Sequence, residues 1–495
     1  MTLNIIYRGL IGLVLAICAN GAALGQYMPT QATNIPLSYI PTSQGSSEFR
    51  LGINVGINGG PLQSYLFDTG SPGFNAAYNP TTWNGFGGGS TTTAPASTIP
   101  NGNNVQFCYG DTPGACRGFI GNIVQVPSLS FQNPAGGTTT FNAPPTGGFQ
   151  ITAVSSDNAF SQNPSLIYPD YFCASGFSCP GNPNPTPPDA PQFYGIFGAG
   201  DFVSPQVGCS VAIAVPSACP TGKSTPPVAV GSPLGQIVVG NSNIAQGYVV
   251  AANGQTNPGN TSLNTNLPSG SAQVTLNGAN MALTACNPCL TVGLTPQMIG
   301  QFAAVGLPSQ TSGLPGLINW AQTSTHKFPN PYGTGPGNNA SREYGVQFSV
   351  SLTPPGTSPA SVTTGTLLDT GTPSFALSGL LSGAGPSPSS ITMTGLNPSG
   401  AAIPGLQGVY ANLSPDNQSS YYVGYYNPNN QHILGLPFFM QNSVMFDLSN
   451  KAIGYTPFFV TDTPFAITPD GSLVVTSSSV PLGLAGAISG PGGVT

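Results

Sequence analysis

Apolar and polar residues alternate with a period of two along much of the chain, and a 3.6-residue helical stripe is nearly absent. The alternation predicts strands over 49–57, 63–68, 104–109, 118–126, 235–239, 344–352, 364–369, 421–426 and 443–447. Clusters of Gly, Pro, Asn and Ser separate them and mark turns. Helical signals are confined to 295–305, where Thr295-Pro296 supplies a cap and a proline at the first helical position, and to a turn over 376–382. The class expected is all-β, with long insertions such as 175–191 and 253–271. Residues 476–495 carry no charge and no aromatic ring, and 461–495 is expected to be a mobile tail.

Composition narrows the function classes. Of 495 residues, 7 are Lys or Arg and 13 are Asp or Glu, so 4% are charged; an ordinary soluble domain carries roughly 25%. Seven basic residues and a net charge of −6 cannot build a face that neutralises many phosphates, which argues against nucleic-acid binding and polybasic membrane anchoring. Two histidines, His326 and His432, are too few for a three-His metal site, and no metal or cofactor is expected. Protonating 13 carboxylates leaves only a handful of positive charges, so unfolding by self-repulsion in acid should be weak. Gly (67) and Pro (52) are abundant, yet 39% of residues are hydrophobic, with 25 Phe and 18 Tyr, so a core can form.

The first 25 residues carry one charge, Arg8, then an apolar run and the small-residue end Ala22-Ala23-Leu24-Gly25. That order predicts a signal peptide over 1–25 and a secreted or extracytoplasmic protein. No later stretch has 18 uninterrupted apolar residues, so no membrane span is expected. Eight cysteines follow Cys18, an even number that reads as disulfides in an exported chain. They fall in close pairs: Cys108 and Cys116, Cys173 and Cys179, Cys209 and Cys219, Cys286 and Cys289. Local pairing is one of about 105 connectivities. Cys286-Asn-Pro-Cys289 also has redox-motif spacing, but its surroundings do not read as a βαβ unit, and a structural bridge is expected.

One pattern occurs twice. Gln63-Ser-Tyr-Leu-Phe-Asp68-Thr69-Gly70-Ser71-Pro72 and Thr364-Gly-Thr-Leu-Leu-Asp369-Thr370-Gly371-Thr372-Pro373 each end an apolar strand in Asp-Thr-Gly, a hydroxyl residue and Pro, 301 residues apart. Gly permits close backbone approach, and Thr offers a hydroxyl to an opposing turn. Two such carboxylates facing each other cannot both ionise easily and share a proton. One then serves as general base on a water, while the other donates to a carbonyl oxygen. This chemistry requires no histidine, metal or cofactor.

With these turns, the chain resembles the pepsin-like aspartic peptidases. Phe107-Cys108-Tyr109-Gly110-Asp111 followed by Gly118-Phe-Ile-Gly-Asn-Ile-Val-Gln-Val126 is similar to that family's flap hairpin. Gly195-Ile-Phe-Gly198 resembles the element threaded beside the first active-site loop, and Ile433-Leu-Gly435, Val444-Met-Phe-Asp447 and Ala452-Ile-Gly-Tyr455 resemble their second-lobe counterparts. The resemblance runs with gaps over 49–200 and 344–457, leaving the middle third unplaced. It implies a two-lobed β-barrel architecture with a cleft between the lobes, taken here as 26–240 and 241–460. It further implies Asp68 and Asp369 as catalytic residues, Thr69, Gly70, Ser71, Thr370, Gly371 and Thr372 as their support, and Tyr109, Gly110 and Asp111 as peptide contacts. The expected partner is a peptide or protein substrate, and the expected state is a monomer.

Two departures stand out. Asn75 occupies the position seven residues after the first Asp where the family usually has a Trp that supports the flap tyrosine, and the cysteine pair 108/116 brackets the flap. No Lys or Arg lies over 26–48, so the basic prosegment that plugs family zymogens is not expected, and activity without prosegment removal is. The two function classes are therefore a secreted acid endopeptidase and a pepsin-like binding or surface protein without turnover. The intact turns favour the first.

Overall fold

The computed structural model describes residues 32–41, 49–78, 82–84, 95–109, 117–143, 147–157, 193–200, 204–206, 208, 222–226, 228–237, 239, 243–252, 273–276, 279–280, 286, 288–303, 318–319, 346–353, 360–384, 390–396, 402–411, 423–427, 431–448, 452–456, 465–466, 472–476, 488–489 and 493–494. The expected signal segment 1–25 lies outside them. The chain is all-β. Strands dominate the described residues and helices are short, the longest being Pro296–Ala303 within the expected 295–305. No helix among the described residues is long and apolar enough to cross a membrane.

In the first part of the chain ten strands follow in order: β1 Thr33–Pro41, β2 Phe49–Ile57, β3 Gln63–Asp68, β4 Phe74–Ala77, β5 Val105–Tyr109, β6 Arg117–Val126, β7 Ser128–Gln132, β8 Thr138–Asn142, β9 Phe149–Asp157 and β10 Gly195–Gly198. All ten belong to a 15-stranded sheet. Its path does not stop at the expected lobe boundary near residue 240. Through β1 it continues to Cys289–Leu294, Ala245–Ala251, Ser443–Asp447 and Ala452–Thr456. A separate seven-stranded sheet holds Val346–Thr353, Ala360–Leu368, Phe375–Ser378, Ser390–Leu396, Ala402–Ala411, Val423–Asn427 and His432–Leu434.

β3 shows why an apolar run becomes a strand here. Its period of two sends Tyr65 and Phe67 into the main core with Phe74, Phe131 and Phe197, and Leu66 into a second cluster with Ile196, Val154 and Phe107. Both faces of the strand are thus covered, and its sequence is apolar without interruption over 65–67. Edge-on and tilted ring pairs fix the first of these cores: Tyr65 with Phe74 at 4.8 Å, Phe74 with Phe197 at 5.0 Å and Phe131 with Phe197 at 5.8 Å.

The strand expected over 235–239 is corrected. Pro233–Gln236 is a single helical turn, its Ser232 hydroxyl accepting from the Leu234 N–H. The Ser-Pro capping signal prevails over the short apolar run that follows. The turn expected over 376–382 is instead the end of strand Phe375–Ser378 followed by the 3-10 turn Gly379–Ala384. In the segment expected to be a mobile tail, Ser472–Thr476 pairs antiparallel with Gln273–Leu276.

Candidate active site

The two Asp-Thr-Gly sequences sit in the same local topology. β3 leads into the first turn, and β10 lies parallel to it, pairing Phe197 with Phe67 and Gly198 with Asp68. β4 leaves the turn antiparallel to β10, and β9 runs parallel to β4. In the second copy, Ala360–Leu368 leads into the turn beside the parallel strand His432–Leu434. Phe375–Ser378 then leaves antiparallel to that strand, with Val423–Asn427 parallel on its other side. Each turn therefore crosses the end of a strand threaded between its two arms.

A reciprocal set of four buried hydrogen bonds joins the turns. The Thr69 hydroxyl donates to the Leu368 carbonyl (2.8 Å) and accepts from the Thr370 N–H (3.0 Å). The Thr370 hydroxyl donates to the Phe67 carbonyl (2.8 Å) and accepts from the Thr69 N–H (3.0 Å). Each threonine uses donor and acceptor across the gap, which fixes the turns by a local two-fold relation.

The carboxyls are held alike. Asp68 accepts from the Gly70 N–H (2.7 Å) and the Ser71 hydroxyl (2.5 Å). Asp369 accepts from the Gly371 N–H (2.8 Å) and the Thr372 hydroxyl (2.6 Å). Glycine is required at the third position of both turns. A methyl on Gly70 would lie 2.5 Å from the Asp369 carboxyl carbon, and one on Gly371 would lie 2.6 Å from that of Asp68. Both aspartates are buried, and the Asp68 carboxyl is held well above the usual carboxylate range. Burial is the main cause, reinforced by the Asp369 charge and a hydrogen bond between the two side chains; the Ser71 and Gly70 donors pull the other way. Such a pair retains one proton where isolated carboxylates have lost theirs.

The backbone beneath the first turn is also secured. Ala199 N–H donates to the Asp68 carbonyl (2.7 Å), and Gly200 N–H donates to the Ser71 carbonyl (2.7 Å). The buried Tyr248, stacked on Phe446 at 4.8 Å, donates its hydroxyl to the Ala199 carbonyl. Sequence reasoning did not single out Tyr248, because a Tyr in an apolar strand carries no mark of its long-range partner.

The structure brings together Asp68, Thr69, Gly70, Ser71, Asp369, Thr370, Gly371 and Thr372. Tyr109 ends β5, opposite Arg117 in the β5–β6 hairpin, where the flap was expected. Its side chain, and Gly110 and Asp111, lie outside the described residues. Asn75 is buried on β4, between Ile196 of β10 and Thr152 of β9. Cys286 and Cys289 form a disulfide with S–S 2.05 Å. Cys116, Cys173, Cys179, Cys209, Cys219 and the Cys108 side chain lie outside the described residues.

No protein-family model and no curated protein matches the sequence. Among solved structures, the chain is similar to the aspartic proteinase from Irpex lacteus at 13% identity and a TM-score of 0.39, with 86% of this chain and 97% of that one covered. It is also similar to basic 7S globulin from soybean at 10% identity and a TM-score of 0.35, covering 87% of this chain and 97% of that one.

Proposed function

We propose that the chain is a secreted acid endopeptidase that hydrolyses peptide bonds with a water activated by Asp68 and Asp369. The observation that carries this reading is the reciprocal threonine lock, which holds two buried carboxyls face to face with one of them retaining its proton. The ionised partner takes a proton from a water held between the carboxyls, and the water oxygen bonds to the scissile carbonyl carbon. The protonated partner gives its proton to the carbonyl oxygen. Return of a proton to the amide nitrogen then breaks the C–N bond and releases an acid and an amine, with no covalent enzyme intermediate. Ser71 and Thr372 orient the carboxyls, while Gly70 and Gly371 allow them to approach.

In this reading an extended peptide lies in a cleft between lobes 26–240 and 241–460, beneath the hairpin that carries Tyr109, Gly110 and Asp111. The monomer acts without metal or cofactor, and without removal of a prosegment. Export follows from the segment 1–25. The test is cleavage of an unfolded protein substrate from acid to neutral pH, with and without pepstatin, by the wild type and by Asp68→Ala and Asp369→Ala. Acid-favoured cleavage, blocked by pepstatin and lost in both variants, is expected. A folded wild type that cleaves nothing would assign the chain to binding without turnover.

A further inference from the structure

His432 is fully buried in the strand threaded through the second Asp-Thr-Gly copy, pairing with Thr366 of the entering strand. Its imidazole bonds to both arms of that copy. Nδ1 accepts from the Ser378 N–H at 3.1 Å, so the ring proton resides on Nε2, which faces the Val362 carbonyl at 3.3 Å. Only the neutral ring satisfies both contacts. Protonation turns Nδ1 into a donor pointing at another donor and breaks the bond to Ser378. We propose that His432 is the positioning residue of the second Asp-Thr-Gly turn, and that its protonation releases the arm leaving that turn and so sets the acid limit of this half of the site.

The first copy offers an internal control. Ser378 lies 301 residues after Ala77, the same spacing as the two aspartates. The Ala77 N–H donates to the Tyr194 carbonyl at 2.8 Å, an acceptor that acid does not remove. The residue in the threaded strand matching His432 is Gly195, where a methyl would fall 2.1 Å from the Asn75 carbonyl oxygen. No side chain can enter there, so the first half has no counterpart of the imidazole.

Among the described residues of the strands paired with it, no charge compensates a protonated ring. The two strands that flank it, Ala360–Leu368 and Phe375–Ser378, contain no Asp, Glu, Lys or Arg. Asp369 follows the first of them, beyond its end. Burial accordingly holds the imidazole down at about 4. A depressed folded-state value means the contribution is complete above the unfolded value near 6.5 and is lost as pH falls toward 4.

The inference rests on the proposed function only in treating this turn as catalytic, and its test needs no cleavage. In the full-length protein, histidine-selective labelling gives two imidazole signals, and His432→Gln assigns one of them. Between pH 7 and 3, His432 should remain the Nε2–H tautomer until about pH 4. Below that point, hydrogen exchange at the Ser378 amide should rise at least about tenfold relative to that at Ala77. In His432→Gln, whose amide can accept and donate without titrating, the change in unfolding constant between pH 6.5 and 4 should shrink by about 10²-fold. An imidazole titrating near 6.5, or Ser378 and Ala77 amides opening together, overturns the inference. Should the variant fail to fold, the wild-type tautomer, assigned from its coupling to Ser378, and the two amides decide it alone.

Discussion

The arms leaving the two Asp-Thr-Gly turns are anchored at matching positions by different chemistry. Ala77 hands its N–H to the Tyr194 carbonyl, whereas Ser378 hands its N–H to the His432 imidazole. The surrounding topology is the same, with a strand parallel to the entering arm and antiparallel to the leaving one. The repeated topology serves the part that must be symmetric, the two carboxyls and their threonines. Away from that centre the halves are free to diverge, and here they diverge in whether acid can reach the anchor. The two titrating elements also act in opposite senses. Asp68, raised in the folded state, favours folding at low pH and loses that contribution as pH climbs through its folded value. His432 favours folding at higher pH and loses its contribution as pH falls toward 4.

The largest expected effect tests whether the two turns are equal partners. Asp68→Ala and Asp369→Ala should each reduce kcat by at least about 10³-fold, and the double variant should be no worse than either, because groups acting as a unit are not additive. Unequal losses would assign one turn the chemistry and the other mere support. Next is the lock. Thr69→Val or Thr370→Val leaves a buried carbonyl and a buried N–H without their partner, and each should cost about 2–3 kcal/mol in chemical denaturation. Similar losses, with strong coupling in the double variant, would confirm the two-fold relation. Removing the titrating group with Asp68→Asn should flatten the acid-favouring part of the stability profile while leaving the His432-dependent loss toward pH 4, measured by unfolding midpoints across pH. Smallest is Tyr248→Phe, which keeps the stacking on Phe446 but removes the bond to Ala199. About 1 kcal/mol is expected, with amide exchange faster at Ala199 and Gly200 and unchanged at Leu436 in the other half.

The centre of the site was legible because its sequence occurs twice. Asp-Thr-Gly at the end of an apolar strand is a weak signal once and a strong one when repeated, and the strand Gly195–Gly198 could be matched to it. Burial of β3 on both faces explains why the apolar run over 65–67 reads clearly as a strand. Long-range pairing was not legible. Nothing in Ala245–Ala251 indicates that it lies between Cys289–Leu294 and Ser443–Asp447, since pairing partners leave no periodicity in a single strand. The single turn that Ser232 caps spans four residues, too few to show a helical period in the sequence. The role of His432 was not legible either, because its bonds to Ser378 and Val362 depend on a fold that brings residues 54 and 70 positions away against one ring.

The central claim is that two remote turns form one proton-sharing pair. Carbon-13 titration of the Asp68 and Asp369 carboxyls in the full-length protein, in the wild type and in Asp369→Ala, tests it most directly. The account predicts two coupled steps in the wild type, with the Asp68 carboxyl holding its proton well above 3.8, and a single uncoupled step for Asp68 once Asp369 is removed. Two independent titrations near the ordinary aspartate value, unaltered by removing the partner, would contradict it.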